Sequence, residues 1–162
     1  VLFFEHKQLY RTRWPVPEAY RDAGHVAPFG QAAVRRVGAH ITVVATLTMV
    51  HHALAAAQAL AAEGISVEVI DPRTLVPFDT GTLVASVRKT GRLLVVDEAY
   101  LGFGIQAEVI AVVAERAFDA LKAAPRRLGN PGVPVPFAPT LEAEVLPGRA
   151  RIEATIREML SR

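Results

Sequence analysis

Asp71-Pro-Arg-Thr-Leu-Val-Pro-Phe-Asp79 and Lys89-Thr-Gly-Arg-Leu-Leu-Val-Val-Asp97 are the two runs that decide how this chain folds. Ahead of the first, Ile65 to Ile70 alternates and is rich in β-branched residues, which predicts a strand. Asp71-Pro-Arg73-Thr74 then reads as a turn, ordered by a carboxylate beside a guanidinium. Asp79 is placed to cap a helix through Leu83, Val84 and Val87 to Lys89, and Gly91 stops it. Leu93 to Val96 is a continuous apolar run, the pattern of a strand buried on both faces. Strand, turn, helix and strand in that order form one unit of a parallel α/β sheet.

The same grammar extends to both sides. His40 to Thr46 is β-branched and predicts a strand, with Thr48 as the N-cap of an Ala-rich helix from Met49 to Glu63 and Gly64 as its C′ residue. Ala32 to Val37 fits an edge strand, after which Gly38 and Ala39 turn the chain. Beyond Asp97, Gly102 and Gly104 open a helix from Ile105 to Leu121, and Arg126 to Leu128 is a short strand. A Pro-rich loop runs to Pro139, Thr140 begins a helical turn, and Leu141 to Val145 fits no single element. Arg149 to Arg162 reads as an amphipathic helix with Ile152, Ile156, Met159 and Leu160 on one face. The alternation predicts the α/β class, a parallel sheet with helices on both faces. At the start, Val1 to Tyr10 reads as a short apolar strand followed by polar residues. Arg11 to Pro28, with Pro15, Pro17, Gly24 and Pro28, has linker chemistry. The expected division is a lead-in over 1–28 and a compact domain over 29–162.

Bulk properties narrow the function. Of 162 residues 51% are apolar, enough for one core, and the net charge is +2. The sequence pI of 9.3 does not point to nucleic acid, because the arginines are scattered, with pairs at Arg35-Arg36 and Arg126-Arg127 and no aromatic-interleaved basic stripe. The absence of cysteine removes disulfides and thiolate metal or redox sites and suits a cytoplasmic protein. No run approaches the ~20 apolar residues that span a bilayer, so no membrane partner is expected. Val1 to Phe4 is too short for a signal peptide. A start at Val1 inside an apolar run reads as a fragment of a longer polypeptide.

Besides the Asp71-Pro-Arg73-Thr74 turn, three groups carry candidate chemistry. Gly102-Phe-Gly104-Ile-Gln-Ala107 matches a loose dinucleotide fingerprint, G-x-G-x-x-A, after a strand and before a helix. Ala99 to Gly102 makes the turn too loose for that role, and Arg126-Arg127 stands where an acidic residue would follow. The glycines are expected to permit unusual backbone angles and close helix approach, and the helix N-terminus could favour an anion. His51 and His52 sit in the first turn of a helix at the edge of the sheet where α/β proteins take ligands. They point about 100° apart, and no further ligand is suitably spaced, so a zinc site is not expected. Asp97 and Glu98 leave a strand on opposite faces, which argues against a shared-proton pair; Glu98 is expected to pack beneath the Gly102 loop. Ser-His-Asp, G-x-S-x-G, Walker and EF-hand patterns are absent.

The two opening runs, with Met49-Val-His-His52 upstream and Pro134-Val-Pro-Phe-Ala-Pro139 downstream, resemble the beta subunit of the thiamine-diphosphate-dependent 2-oxo acid dehydrogenases. That family includes the acetoin, pyruvate and branched-chain enzymes, and the acetoin type is the nearest in these motifs. The resemblance covers nearly all of the chain but only the second half of such a subunit. It implies a three-layer α/β/α sandwich like the transketolase C-terminal domain, with a mostly parallel sheet and one antiparallel strand. It implies thiamine diphosphate with Mg in the parent enzyme, bound outside this fragment, and an isolated fragment without activity. The implied partners are a second beta subunit, an alpha subunit and the lipoyl acyltransferase component. Thr48, His51, His52, Glu98, Gly102, Phe103 and Gly104 are the candidates for the active-site channel or an interface. Near Leu121-Lys-Ala-Ala-Pro125 the family commonly carries an acidic docking residue, where this chain has Lys122. Glu115 and Asp119 are the acids that could substitute. Glu5 and His6 match the end of the preceding domain, and no role is carried onto them. A transketolase or deoxyxylulose-phosphate-synthase type, and a stand-alone interaction module, are the alternatives.

Overall fold

The structure is a computed structural model and describes residues 1–16 and 18–161. Pro17 of the expected linker and Arg162 of the expected terminal helix therefore lie outside the described residues. Five strands form one sheet in the order β1-β3-β2-β4-β5: β1 (Ala33–Arg36), β2 (Ile41–Ala45), β3 (Val67–Asp71), β4 (Leu93–Tyr100) and β5 (Arg126–Asn130). β1 runs antiparallel on β3, and β2, β3, β4 and β5 are mutually parallel. The helices are α1 (Leu47–Ala61), α2 (Thr80–Thr90), α3 (Ile105–Ala117), α4 (Pro139–Val145) and α5 (Arg149–Leu160).

Alternation along the central strands makes the three layers. Ile41, Val43 and Ala45 of β2, with Leu94 and Val96 of β4, face α1 and α5. Val44, Leu93 and Val95 face α2 and α3. Every residue of β2 is buried, which is why its sequence is continuous rather than alternating. On α5, Ile152, Ile156 and Met159 pack against Leu60 and the Ala face of α1. Each fully buried Leu or Ile here contributes about 1.5–3 kcal/mol of transfer free energy.

Two turn devices fix the ends of the sheet. Gly38 enters β2 so close to β3 that a Cβ would lie 2.1 Å from the Glu68 nitrogen. Asp79 caps α2 by accepting from the Thr82 amide at 2.9 Å and hydroxyl at 2.7 Å, and also from the Ala32 amide at 2.9 Å. Burial opposes its charge, but these donors outweigh it and hold the carboxyl below its ordinary value.

Several boundaries differ from the sequence reading. Val1 to Tyr10 is not a strand: Val1 to Phe4 and Tyr10 are exposed, and Lys7–Arg11 forms a 3-10 turn capped by His6. Thr46, not Thr48, precedes the first helix, which closes at Ala61 before Gly64 at φ 75°. α3 stops at Ala117 and tightens into a 3-10 turn over Phe118–Ala120. Residues 139–145, left undecided by pattern, are helical with Pro139 in the first turn.

Candidate functional site

β2 feeds α1 and then β3 on one side, and α2 carries the chain back across to β4 on the other. The gap beyond the carboxyl ends of β2 and β4 is the switch point where open α/β sheets take ligands. Thr46 closes β2 here, and its hydroxyl donates to the Asp97 carboxylate at the end of the buried part of β4. Asp97 also accepts from the Ala99 amide at 2.6 Å. The Thr46 side chain is thereby drawn away from capping α1.

The backbone is strained along this edge. Leu47 after β2, Arg73 after β3 and Phe103 after β4 hold φ of 45°, 58° and 59°. Non-glycine residues pay for such angles, and they persist where the surroundings impose them. The buried side-chain atoms without a partner, among the described residues, are Thr48 Oγ1, His51 Nδ1 and Gln106 Oε1. Thr48 and His51 open α1, and Gln106 opens α3.

The lead-in covers this edge. His6 Nε2 lies 2.8 Å from the Glu98 carboxylate. Trp14 stacks on His51 with ring centroids 4.1 Å apart and planes 12° apart. Arg73 donates to the Tyr20 hydroxyl and sits 5.7 Å from the centre of that ring. The Gly30 amide then donates to Thr74 Oγ1 at 2.9 Å, and the chain enters β1. Burial, then the Arg35 guanidinium and His52, push the His51 imidazole below its ordinary value, against an opposing pull from Asp71.

The structure brings Thr48, His51, His52, Glu98, Gly102, Phe103 and Gly104 to this one edge. Thr48 is buried inside the first turn of α1, His52 is half-buried beside His51, and Phe103 is fully exposed. Glu98 does not pack beneath the Gly102 loop; it reaches out to His6. Gln106 fills that place, donating to the carbonyls of Asp97 and Ala99 at 3.5 and 3.3 Å. Gly104 is not needed for its angles, since its φ is −77°; a Cβ would meet the Tyr100 carbonyl at 2.1 Å. The unusual angle belongs to Phe103 instead.

The other candidates sit elsewhere. Asp119, exposed in the 3-10 turn after α3, accepts from Arg88 of α2 at 2.8 and 3.2 Å. The Arg88 hydrogen bond, helped by its charge, outweighs the cost of burial and holds the Asp119 carboxyl below its ordinary value. The Lys122 stem lies over Gly91, with its amide 2.8 Å from the Gly91 carbonyl, at the opposite edge of the sheet. Glu115 is exposed on α3.

Sequence reasoning missed Trp14, Tyr20 and Asn130. Asn130 is buried, accepts from the Gly132 and Val133 amides at 2.9 and 3.0 Å, and donates to the Val133 carbonyl at 2.9 Å. Its own carbonyl takes the Leu101 amide at 2.8 Å, so it joins the two loops after β4 and β5. The signals were a lone tryptophan directly before a proline pair, Pro15 and Pro17, and an Asn-Pro-Gly at a strand end.

The family model for the transketolase C-terminal domain matches residues 30–152. The chain belongs to that family. Among similar proteins, the acetoin:2,6-dichlorophenolindophenol oxidoreductase subunit beta of Cupriavidus necator is 45% identical over 99% of this chain and 46% of its own length. The mitochondrial pyruvate dehydrogenase E1 component subunit beta-1 of Arabidopsis thaliana is 41% identical over 97% of this chain and 42% of its own. The 2-oxoisovalerate dehydrogenase subunit beta of Bacillus subtilis is 39% identical over 98% and 48%. A solved split-gene transketolase, an inactive beta4 tetramer, superposes with a TM-score of 0.73 at 28% identity, covering 90% of this chain and 46% of that one. The chain spans about half the length of the curated relatives it matches.

Proposed function

We propose that this chain is the C-terminal domain of the beta subunit of a thiamine-diphosphate-dependent 2-oxo acid or acetoin dehydrogenase, acting in a cytoplasmic complex. The observation that carries the reading is 45% identity to an acetoin oxidoreductase beta subunit across 99% of the chain. The parent enzyme would cleave or decarboxylate its substrate and pass the acyl unit to lipoamide. This domain would serve assembly. Phe103 and Phe137, both fully exposed in the segments after β4 and β5, and the half-exposed Tyr100 and Val135 are large apolar groups suited to contact with a second beta subunit. An alpha subunit and the lipoyl acyltransferase would complete the complex.

The residues here do not fit the cofactor itself. A diphosphate needs free cationic or amide donors. Arg35 lies 3.7 Å from Asp71, Arg73 is taken by Tyr20, and the start of α1 sits beside the Asp97 carboxylate and under Trp14. No three His, Asp or Glu side chains converge on a metal position among the described residues. Thiamine diphosphate with Mg would therefore be held outside this chain. A transketolase-type parent is the second reading, favoured by the split-gene transketolase likeness.

Reconstitution tests the proposal. The intact subunit containing this domain, paired with its alpha subunit, is assayed with acetoin and a panel of 2-oxo acids for dichlorophenolindophenol reduction. The expected result is substrate-dependent reduction that requires added thiamine diphosphate and Mg, with none from this chain alone. Reduction by the isolated chain, or an assembled enzyme inert toward every substrate, overturns it.

A further inference from the structure

We propose that the first turn of α1, at the switch point between β2 and β4, is a binding site for a small uncharged carbonyl compound, a ketone or an amide, whose oxygen accepts from Thr48 Oγ1 and His51 Nδ1. The inference goes beyond the dehydrogenase reading and does not rest on it.

The start of the helix supplies the first argument. α1 has 15 residues, and its N-cap residue Thr46 makes no side-chain cap bond, because its hydroxyl goes to Asp97. Helix starts usually take such a cap on the first-turn amides. The Met49 amide turns back to the Thr46 carbonyl at 2.9 Å, and the Leu47 and Thr48 amides are left without a side-chain cap. Leu47 holds a left-handed φ of 45° at the same place, strain of the kind that collects at ligand clamps.

Two buried side-chain atoms supply the second argument, independent of the first. Thr48 is only 7% exposed, and its Oγ1 has no partner. His51 Nδ1 is also buried without a partner. The two residues stand three apart on one helix face, with about 5–6 Å between their Cβ atoms. Cα–Cβ bonds tilt toward the helix N-terminus, so both side chains lean to the carboxyl edge. Trp14 covers a face of the His51 ring. A hydrogen bond at Nδ1 lies in the plane of the ring, so the stack leaves that bond to be made.

Charge selects the class of ligand. Asp97 puts a carboxylate beside Thr46, which opposes an anion. The guanidinium groups of this edge have partners of their own: Arg35 lies 3.7 Å from Asp71, and Arg73 is bonded to Tyr20. Burial, ahead of the Arg35 charge, holds the His51 imidazole below its ordinary value, so it acts as a neutral group. A neutral imidazole can carry its proton on Nδ1, and hydroxyl and amide groups donate. Donors that converge with no free cation suit an uncharged oxygen with two lone pairs and no proton, which is a carbonyl.

Saturation-transfer NMR on the intact subunit that contains this chain tests the site. The probes are acetamide, acetate and methylammonium, which are small and differ in charge. Acetamide should bind saturably and more tightly than either ion. Thr48→Val, and His51→Phe, which keeps a ring against Trp14, should each weaken acetamide by about 3- to 10-fold, the value of one hydrogen bond. Thr48→Ser should restore it. Thr48→Val should do this without lowering the urea midpoint, which separates a lost ligand contact from a lost fold. Acetate that binds as tightly as acetamide, acetamide binding unaltered in either variant, or no saturable probe because the pair holds a resident water only, would each overturn the proposal.

Discussion

The two edges of the sheet solve opposite problems with similar residues. At the amino edge Glu68 is buried, yet every oxygen is spoken for: it accepts from the Ser86 hydroxyl, the Lys89 ammonium and, at 3.1 Å, the Gly38 amide. Behind it, the Thr42 hydroxyl meets both Ser86 and Thr90 hydroxyls at 2.7 Å, and Thr90 returns a bond to the Ser86 carbonyl at 3.1 Å. At the carboxyl edge Thr48, His51 and Gln106 each leave a buried atom unpartnered, and the backbone is strained at Leu47, Arg73 and Phe103. A satisfied buried network specifies and stabilises a fold. Unsatisfied groups and strain, gathered at one edge, mark where a fold has given up stability for something else. The amino edge is the anchor, and the carboxyl edge is the working face.

Glycine substitutions break this contrast hardest. A Cβ on Gly38 would lie 2.1 Å from the Glu68 nitrogen and 2.2 Å from the Val67 carbonyl carbon, all backbone of the central β3. Neither can retreat without tearing the ladder between β2 and β3. Gly38→Ala should cost about 4 kcal/mol or prevent folding, as overpacking against fixed atoms does at its upper end. A Cβ on Gly104 would meet Tyr100 O at 2.1 Å and Gln106 Oε1 at 2.2 Å, but the first belongs to the last residue of β4, where the ladder is already irregular between Val96 and Tyr100, and the second to a side chain. Gly104→Ala should cost about 1–3 kcal/mol. Urea unfolding midpoints at constant slope give both numbers. Equal losses, or a larger loss at Gly104, would show that the carboxyl edge is as rigid as the amino edge.

Most of the layers were legible because the strands carry their own evidence. Ile41 to Ala45, within the expected strand, and Leu93 to Val96 are buried throughout, and Asp79 and Gly91 bracket α2 with the expected cap and left-handed stop, φ 74° at Gly91. The edge was less legible because its residues act through partners distant in sequence. Thr48 has the right chemistry for an N-cap, but Leu47 takes a positive φ after β2, and the helix begins two residues earlier than pattern implies. Val1 to Phe4 has strand composition, but the sheet is complete without it, since β1 and β5 are the outer strands. Trp14 and His51 stand 37 positions apart and share no local signature. Glu68 was hidden by its strand: alternation predicts where it points but not that Ser86 and Lys89 wait there.

Removing one member of the amino-edge network gives the next largest effect. Lys89→Met takes the cation from a carboxylate that is 2% exposed. Loss of one partner of a buried pair is strongly destabilising, and the half-exposed ammonium lowers the expected cost to about 2–3 kcal/mol. Burial raises the Glu68 pKa, but the Lys89, Ser86 and Gly38 donors outweigh it, and the net direction is down from the ordinary 4.5. A depressed carboxyl contributes stability that is present above its unfolded value and lost as pH falls through its folded value. The unaltered chain should therefore lose more stability than Glu68→Gln as pH falls from 4.5. Parallel acid profiles for the two would remove Glu68 as the anchor's charged centre.

The smallest effect separates the edges most cleanly, because one substitution should change sign between them. Thr→Val keeps shape and removes a hydroxyl. At Thr42 that hydroxyl joins Ser86 and Thr90, so Thr42→Val leaves two buried partners short of a bond and should cost about 1–2 kcal/mol. At Thr48 the hydroxyl is buried with no partner, and Thr48→Val removes a desolvated group and strands nothing. It should be neutral or stabilise by up to about 1 kcal/mol. Thermal and urea unfolding of the two variants measure the difference. A loss at Thr48 comparable to that at Thr42 would mean its hydroxyl is satisfied in solution by water, and the carboxyl edge would then be as well bonded as the anchor.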